Sequence, residues 1–545
     1  MFERIGRYIY VIIFSVIALI LFITFKVNSG VTKEVKLVAF GDNIKTNYVP
    51  FVQNTGIYLS VDTISKLIDE NIYYDKLATK VIITTYDKVI KLKIDENKMS
   101  DNLEDVSIEN PAKVVDGQPY IDINLFKELY GIMVEYNKDT STVVIDKTKV
   151  PDTAIKYNEV KVYSNIDTKS DVLATLNKGD TVKVYIDSLN HNRWYKIKTS
   201  SGIIGYISKN NVDYIEEEKS NENENTTTTE ENTNEKLTMF WQYGSDLNVL
   251  GNKISGVDVV SPTWYELKNS SGEINSEYSS RYYNKAKENG YEIWPIITNG
   301  IDSVNYLPAD TSAMLNSEYN RENFIKNLVN TLKEDKVDGV NIDFESMKTE
   351  DRDMFTQLIR ELAPLLRKEG LKLSVDMYFV EYIDRTRIGE ASDYVVLMGY
   401  DQRGSWSKEA GSIAEISWVE ENIKSLIEDS KIPSSKIILG IPFYTRVWIQ
   451  RQGDSEYTTR AYTMEDCLEF LDEYNLTPTL DEKSGQNYAE VTVGSTTYKL
   501  WLEDITSVKK RVETVNKFNL AGITGWRKGY ETDDVWQVIE ENLGK

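Results

Sequence analysis

One cysteine and one histidine occur among 545 residues, and these two scarcities exclude more chemistry than any single motif. Cys467 alone cannot close an intramolecular disulfide or build a thiolate metal cluster. With His191 as the sole imidazole, a Ser-His-Asp triad in the C-terminal region and a histidine-rich zinc site are both excluded. Basic residues are short as well. The 63 Lys and Arg stand against 86 Asp and Glu, a formal charge of -23 with no basic stripe, which argues against nucleic acid as a partner. No cofactor or metal is expected, and the chemistry has to come from carboxylates. Cys467 falls in a helical repeat with Met464, Leu468 and Leu471 and reads as packing. His191, in Asn190-His191-Asn192, reads as a solvated turn.

The length exceeds one ordinary domain, so several modules are expected. Tyr8 to Phe25 is an apolar run free of charge, Pro and Gly, close to the roughly 18 residues that approach a membrane span. Residues 1–30 therefore read as an N-terminal membrane anchor, with the remainder outside the cell membrane. A signal peptide, cleaved to give a secreted protein, is the competing reading, although the run exceeds the usual h-region of about 7 to 15 residues. Between 35 and 149, β-rich runs such as Lys80–Thr84 and Thr142–Ile145 alternate with helix-like Val61–Ile68 and Ile123–Leu129, a small α+β domain. From 154 to 215, strand signals at Val160–Val162, Thr181–Tyr185, Trp194–Lys198 and Ile203–Ile207 read as a small β-barrel, with Trp194 and Tyr206 either in a groove or in its core. Residues 216–236 are Glu, Asn, Ser and Thr with two Lys and no apolar side chain, an acidic linker.

From 237 to 545 short β runs alternate with amphipathic helices. Eight of them, Leu237–Trp241, Val257–Ser261, Glu292–Ile297, Gly339–Glu345, Lys372–Met377, Tyr394–Tyr400, Ile437–Pro442 and Gly522–Trp526, fit an α/β (β/α)8 TIM barrel. The fourth alternates: Asn341, Asp343 and Glu345 share one face, Val340, Ile342 and Phe344 the other. Carboxylates turned into a barrel cost several kcal/mol unless partnered, and Glu345 falls at the strand end where barrel enzymes keep catalytic groups.

Asp338 to Glu345 resembles the DxxDxDxE signature of family 18 glycoside hydrolases, the chitinase-like enzymes, with Asn341 in place of the middle aspartate. Met398-Gly399-Tyr400-Asp401, Gly440-Ile441-Pro442-Phe443-Tyr444 and Gly525-Trp526 match the same family in order. Tyr400-Asp401-Gln402, Trp418-Val419-Glu420 and Trp501-Leu502-Glu503-Asp504 look closest to its bacterial spore and cell-wall peptidoglycan branch. Upstream, Pro119-Tyr120-Ile121-Asp122 resembles copper amine oxidase N-terminal-like domains, and Trp194-Tyr195-Lys196-Ile197 with Gly205-Tyr206-Ile207 a bacterial SH3-like domain.

The family resemblance implies retaining, substrate-assisted hydrolysis, in which the sugar's acetamido oxygen is the nucleophile. It implies Glu345 as proton donor and Asp343 as its helper and acetamide orienter. It further implies Asn341, Tyr400, Asp401, Trp526, Met398 and Tyr444 as substrate-binding candidates, to which Trp264 is added from its place near a strand end. Tyr400 donates to the acetamido carbonyl and Trp526 forms the sugar floor. Tyr444 either lines the cleft or closes the barrel, Met398 either packs or touches sugar, and Trp264 extends the cleft. Residues 447–498 resemble the family's small α+β insertion. The implied substrate is an N-acetylated glycan, peptidoglycan first. Chitin or its oligosaccharides is the alternative, as is a non-catalytic glycan-binding protein.

Overall fold

The computed structural model describes residues 35–147, 150–185, 193–212, 236–300 and 308–545. The expected membrane segment, His191 and nearly all of the expected linker lie outside these residues. Among the described residues no helix is long and apolar enough to cross a membrane.

These residues fall into two compact units, the first built mainly from 35–212 and the second mainly from 236–545. In the first, Lys36–Ala39 pairs in parallel with Thr142–Lys147, which joins the two ends of the α+β segment in one four-stranded sheet. The Pro119–Asp122 stretch closes the strand Gln118–Asp122. Asp122 then accepts from the Asn124 and Ile57 N–H groups, so one carboxylate ends the strand, caps the following helical turn and ties both to Gly56–Ser60. Next comes a six-stranded sheet in the order Asp152–Ala154, Thr181–Val184, Trp194–Thr199, Ile204–Ser208, Val160–Tyr163, Val172–Leu176. Val162, Ile197 and Ile207 fill its core. Trp194 and Tyr206 are only half-buried, Trp194 edge-on to Tyr163.

The second unit is a closed parallel barrel. Its strands are β1 (Leu237–Gln242), β2 (Val259–Leu267), β3 in two pieces (Glu292–Ile293 and Ile296–Thr298), β4 (Gly339–Asp343), β5 (Lys372–Met377), β6 (Tyr394–Met398), β7 (Ile437–Pro442) and β8 (Gly522–Trp526). Each pairs in parallel with the next, and β1 pairs with both β2 and β8, so no edge is left open.

Helices on the outside take up the apolar faces. Phe344 stacks on Phe355 of α2 (Arg352–Lys368) and meets Phe324 of α1 (Glu318–Glu334) edge-on, each at 5.8 Å between ring centres. Phe355, Leu358, Ile359, Leu362, Leu365 and Leu366, the apolar face expected from spacing, are all buried in α2.

The insertion between β7 and β8 is wider than the expected 447–498. Its five-stranded antiparallel sheet begins at Tyr444–Arg451, one residue after β7, and ends with Thr496–Leu502; the helix Met464–Glu473 packs on it. The repeat around Cys467 needs one correction. Cys467 is buried, and burial pushes its thiol up to about 12, but Leu468 is largely exposed and Phe470 takes the inner position.

Candidate active site

β4 turns Asn341 and Asp343 inward because its alternate residues, Val340 and Ile342, are claimed by the surrounding apolar core. Asn341 is fully buried, and each side of its amide has partners. Its Oδ1 accepts from Trp241 Nε1 at 2.7 Å; its Nδ2 donates to Ser374 Oγ at 3.0 Å and to Asp376 Oδ1 at 2.7 Å. An indole N–H only donates, so the amide cannot flip and the Asp376 oxygen is its acceptor.

Glu345 follows two residues past the end of β4 and is half-buried. Its backbone is clamped from β3 by one side chain: Asn299 Nδ2 donates to Glu345 O at 2.8 Å, and Glu345 N–H donates back to Asn299 Oδ1 at 3.1 Å. Ser346 follows in a left-handed turn (φ 51°), its N–H held by the Tyr382 hydroxyl at 3.1 Å. The carboxylate therefore stands on a fixed strand end at the C-terminal mouth of the barrel.

An aromatic wall faces this row. Tyr400, 6% exposed, meets Trp241, Tyr378 and Tyr444 edge-on at centroid distances of 6.4, 6.5 and 6.4 Å. Half-buried Trp526 stands against Trp241 at 6.1 Å. Two glycines of the sequence motifs make this packing possible. A Cβ on Gly440 would sit 2.9 Å from the Trp241 ring, and one on Gly525 would strike the Phe443 ring at 2.1 Å.

Burial drives the site's electrostatics. It holds Tyr400 well above the ordinary phenol range, reinforced by Tyr378, Tyr444, Asp376 and Asp343, so the hydroxyl keeps its proton and can donate. Tyr444 is raised by burial and then by Asp401, to which it donates at 2.6 Å. Asp401, in a left-handed backbone conformation (φ 55°), also faces Arg446 at 3.6 Å. Burial raises the Asp376 carboxyl well above the usual range; the Asn341 bond pulls it down in part and the Glu345 charge pushes it up again.

The candidates thus divide. Asn341, Asp343, Glu345, Tyr400, Asp401, Tyr444 and Trp526 gather around the barrel mouth. Met398 is buried in the core beneath them on β6. Trp264 is a correction: at 1% exposure it packs among Tyr265, Tyr278 and Tyr282, its indole given to Ser245 Oγ at 2.7 Å, and it presents no open ring face to a sugar. Asp338 orders the start of β4 by accepting from the Ile293 N–H at 2.8 Å and pairing with Lys287. Sequence reading missed Trp241, Asn299, Asp376 and Tyr378. The signal available for three of them was alternation. Trp241 shares its face of β1 with Met239, while Asp376 follows Ser374 by two along β5 and Tyr378 continues the same step just past the strand end.

Comparison with known proteins agrees with this architecture. Residues 268–531 match the family described as Glycosyl hydrolases family 18, residues 38–145 the Copper amine oxidase N-terminal domain, and residues 158–213 the Bacterial SH3 domain. The copper of the second description finds no ligand set here: residues 38–145 hold neither histidine nor cysteine, and among the described residues no group of three His, Cys, Asp or Glu is arranged for a metal ion. Among curated proteins, the uncharacterized glycosylase YvbX of Bacillus subtilis is 24% identical over 50% of this chain and 80% of its own length. The cortical fragment-lytic enzyme of B. subtilis is 23% identical over 42% of this chain, but the match spans only 55% of that enzyme. Among solved structures, the spore cortex-lytic enzyme SleL of Bacillus megaterium superposes with a TM-score of 0.51 at 21% identity, over 56% of this chain and 74% of SleL. A chitinase of Chromobacterium violaceum superposes at 0.52 and 20% identity, over 57% of this chain and 99% of that one. Residues 268–531 thus form a glycoside hydrolase family 18 domain, preceded in the chain by a copper amine oxidase N-terminal domain and a bacterial SH3 domain.

Proposed function

We propose that the protein hydrolyses β-1,4 bonds after N-acetylglucosamine with retention of configuration, and that its substrate is peptidoglycan of the cell wall or spore cortex. The observation that carries the proposal is the pairing of Glu345, clamped by Asn299 at the barrel mouth, with inward-facing Asp343 beside an aromatic wall that holds a hydroxyl donor.

In this reading Glu345 protonates the departing glycosidic oxygen. The acetamido oxygen of the same sugar attacks the anomeric carbon as that bond breaks, so no protein nucleophile is required. Asp343 accepts from the acetamido N–H and stabilises the positive charge of the cyclic intermediate. Tyr400 donates to the acetamido oxygen and aims it; Trp526 forms the apolar floor under the ring. Glu345, now a carboxylate, takes a proton from the water that opens the intermediate, and is thereby restored. Asp401 and Tyr444 hold one another at the cleft wall, beside the sheet of the insertion.

The apolar run Tyr8–Phe25 supports retention at the outer face of the cell membrane through residues 1–30, which would keep the barrel beside the wall. The relatives named for cortex lysis support peptidoglycan over chitin. Digestion of purified peptidoglycan, followed by identification of the new reducing ends by mass spectrometry, tests the substrate. New N-acetylglucosamine ends are expected. Activity on chitin oligomers with no release from peptidoglycan would overturn the choice.

A further inference from the structure

Asn341 raises a chemical problem. It stands in a row of inward-facing acids, but an amide cannot give or take the proton that an aspartate at the same place could. Across the barrel wall the structure holds a compensating group. β4 and β5 pair in parallel with Asn341 opposite Ser374 and Ile342 opposite Val375; the pairing ends there, and one further step along each strand leads to Asp343 and Asp376, whose charges both act on Tyr400. Asp376 is 4% exposed, and one of its carboxyl oxygens, Oδ1, is committed as the acceptor of the Asn341 amide.

We propose that Asp376 supplies from the neighbouring strand the acidic group that Asn341 removes from the row, and acts as a positioning residue that gives its O–H to Asp343.

The local chemistry supports this. A carboxylate at Asp376 would be a buried charge beside the acids of β4, and burying a charge without a cationic partner costs several kcal/mol. Among the described residues, the ionisable groups whose charges bear on Asp376 or share its surroundings are Glu345, Asp343 and Tyr400; none is cationic. Burial first, and Glu345 in addition, raise the Asp376 carboxyl well above the usual range, the direction that favours its acid form. An acid that already accepts through Oδ1 has one hydrogen left to donate, and Asp343, one step past the paired residues of β4, is its acceptor. The consequence is a carboxylate fixed in place before substrate arrives, carrying one negative charge where two acids stand. When the acetamido N–H arrives, Asp343 accepts from it without any change in the protonation of Asp376.

This inference rests on the proposed hydrolysis, and the test separates the two. Asp376→Asn keeps a neutral donor of nearly the same shape; its Oδ1 accepts from Asn341 and its Nδ2 donates to Asp343. Its kcat is expected within about threefold of wild type. Asp376→Ala removes the donor and should lower kcat on the order of 10- to 100-fold with a much smaller change in KM. In that variant Asp343, having lost a hydrogen bond to its charged form, should also titrate higher, so the acid limb of the kcat/KM profile moves to higher pH. Infrared spectra of the full wild-type chain at neutral pH should contain a protonated-carboxyl band that shifts on carbon-13 labelling of aspartate and is lost in Asp376→Asn.

Asp376→Asn as inactive as Asp376→Ala would overturn the proposal, because a charge would then be what matters. So would an unshifted profile in Asp376→Ala, or absence of the band. If Asp376→Ala does not fold, the wild-type spectrum and the Asp376→Asn kinetics decide. A wild-type chain inert on every acetamido glycan would defeat the functional reading while leaving the infrared result to stand by itself.

Discussion

Asn299 makes no expected contact with sugar, yet its loss should cripple the reaction assigned to Glu345. Its side chain is 3% exposed and makes two hydrogen bonds to the Glu345 backbone, at 2.8 and 3.1 Å. Each such bond contributes about 0.5–1.5 kcal/mol net, so Asn299→Ala should lower stability by roughly 1–3 kcal/mol. The kinetic effect should be larger than the stability loss suggests. With both backbone groups released, the clamp from Asn299 is gone although the bond from Ser346 to Tyr382 remains, and a displacement of about 1 Å in a catalytic group costs on the order of 100-fold. Asn299→Asp sharpens the experiment. It retains the acceptor for the Glu345 N–H but sets a carboxylate oxygen against the Glu345 carbonyl, so it too should lose activity although its shape is nearly unchanged. The assay is kcat/KM on a soluble N-acetylated glycan, measured alongside thermal unfolding. Wild-type kcat/KM in Asn299→Ala, with the expected fall in stability, would refute the idea that this clamp sets the position of the acid.

Two further substitutions probe the frame of the site. Trp241→Phe keeps the ring packing but removes the N–H that Asn341 Oδ1 accepts, leaving a buried acceptor without its donor. A loss of about 1–3 kcal/mol in thermal or chemical denaturation is expected, and a change below about 0.5 kcal/mol would contradict it. Glu503 sits under the insertion, fully buried, where it takes hydrogen bonds from Gln486, Ser507 and Arg511, each at 2.8 Å. Glu503→Gln leaves the Arg511 guanidinium, 2% exposed, without its counter-charge and should cost about 3–5 kcal/mol; adding Arg511→Met should recover most of it. Denaturant titration of the full chain, following the transition of the barrel, measures both. A double variant as unstable as the single one would place the cost elsewhere.

The barrel was legible in the sequence because strands and helices carry different periods. β5, β7 and β8 begin and end where the apolar runs do, and the alternation along β4 told which face Asp343 takes. What alternation cannot convey is who stands opposite. Trp241 lies 100 residues from the amide it holds, and Asp376 lies 35 from it; only the register of a closed barrel brings them together. Asn299 escaped notice for a different reason. It acts just past the end of β3, where no periodic pattern continues and a polar residue reads as ordinary loop. Trp264 misled in the opposite direction. Its position towards the end of β2 suggested a cleft, but three tyrosines enclose it, two of them, Tyr278 and Tyr282, from beyond that strand. The insertion's limits moved outward because Tyr444, matched as the end of a barrel motif, already belongs to the first strand of the added sheet.

The proposed hydrolysis stands or falls on Glu345. Glu345→Gln replaces the acid with an amide of the same size, so the fold and the acetamido contacts of Asp343 and Tyr400 should survive while proton donation is lost. The direct measurement is turnover of an N-acetylated glycan by that variant, with binding of the same glycan followed by calorimetry. Undetectable hydrolysis with near wild-type binding is expected; hydrolysis at the wild-type rate would contradict the central claim.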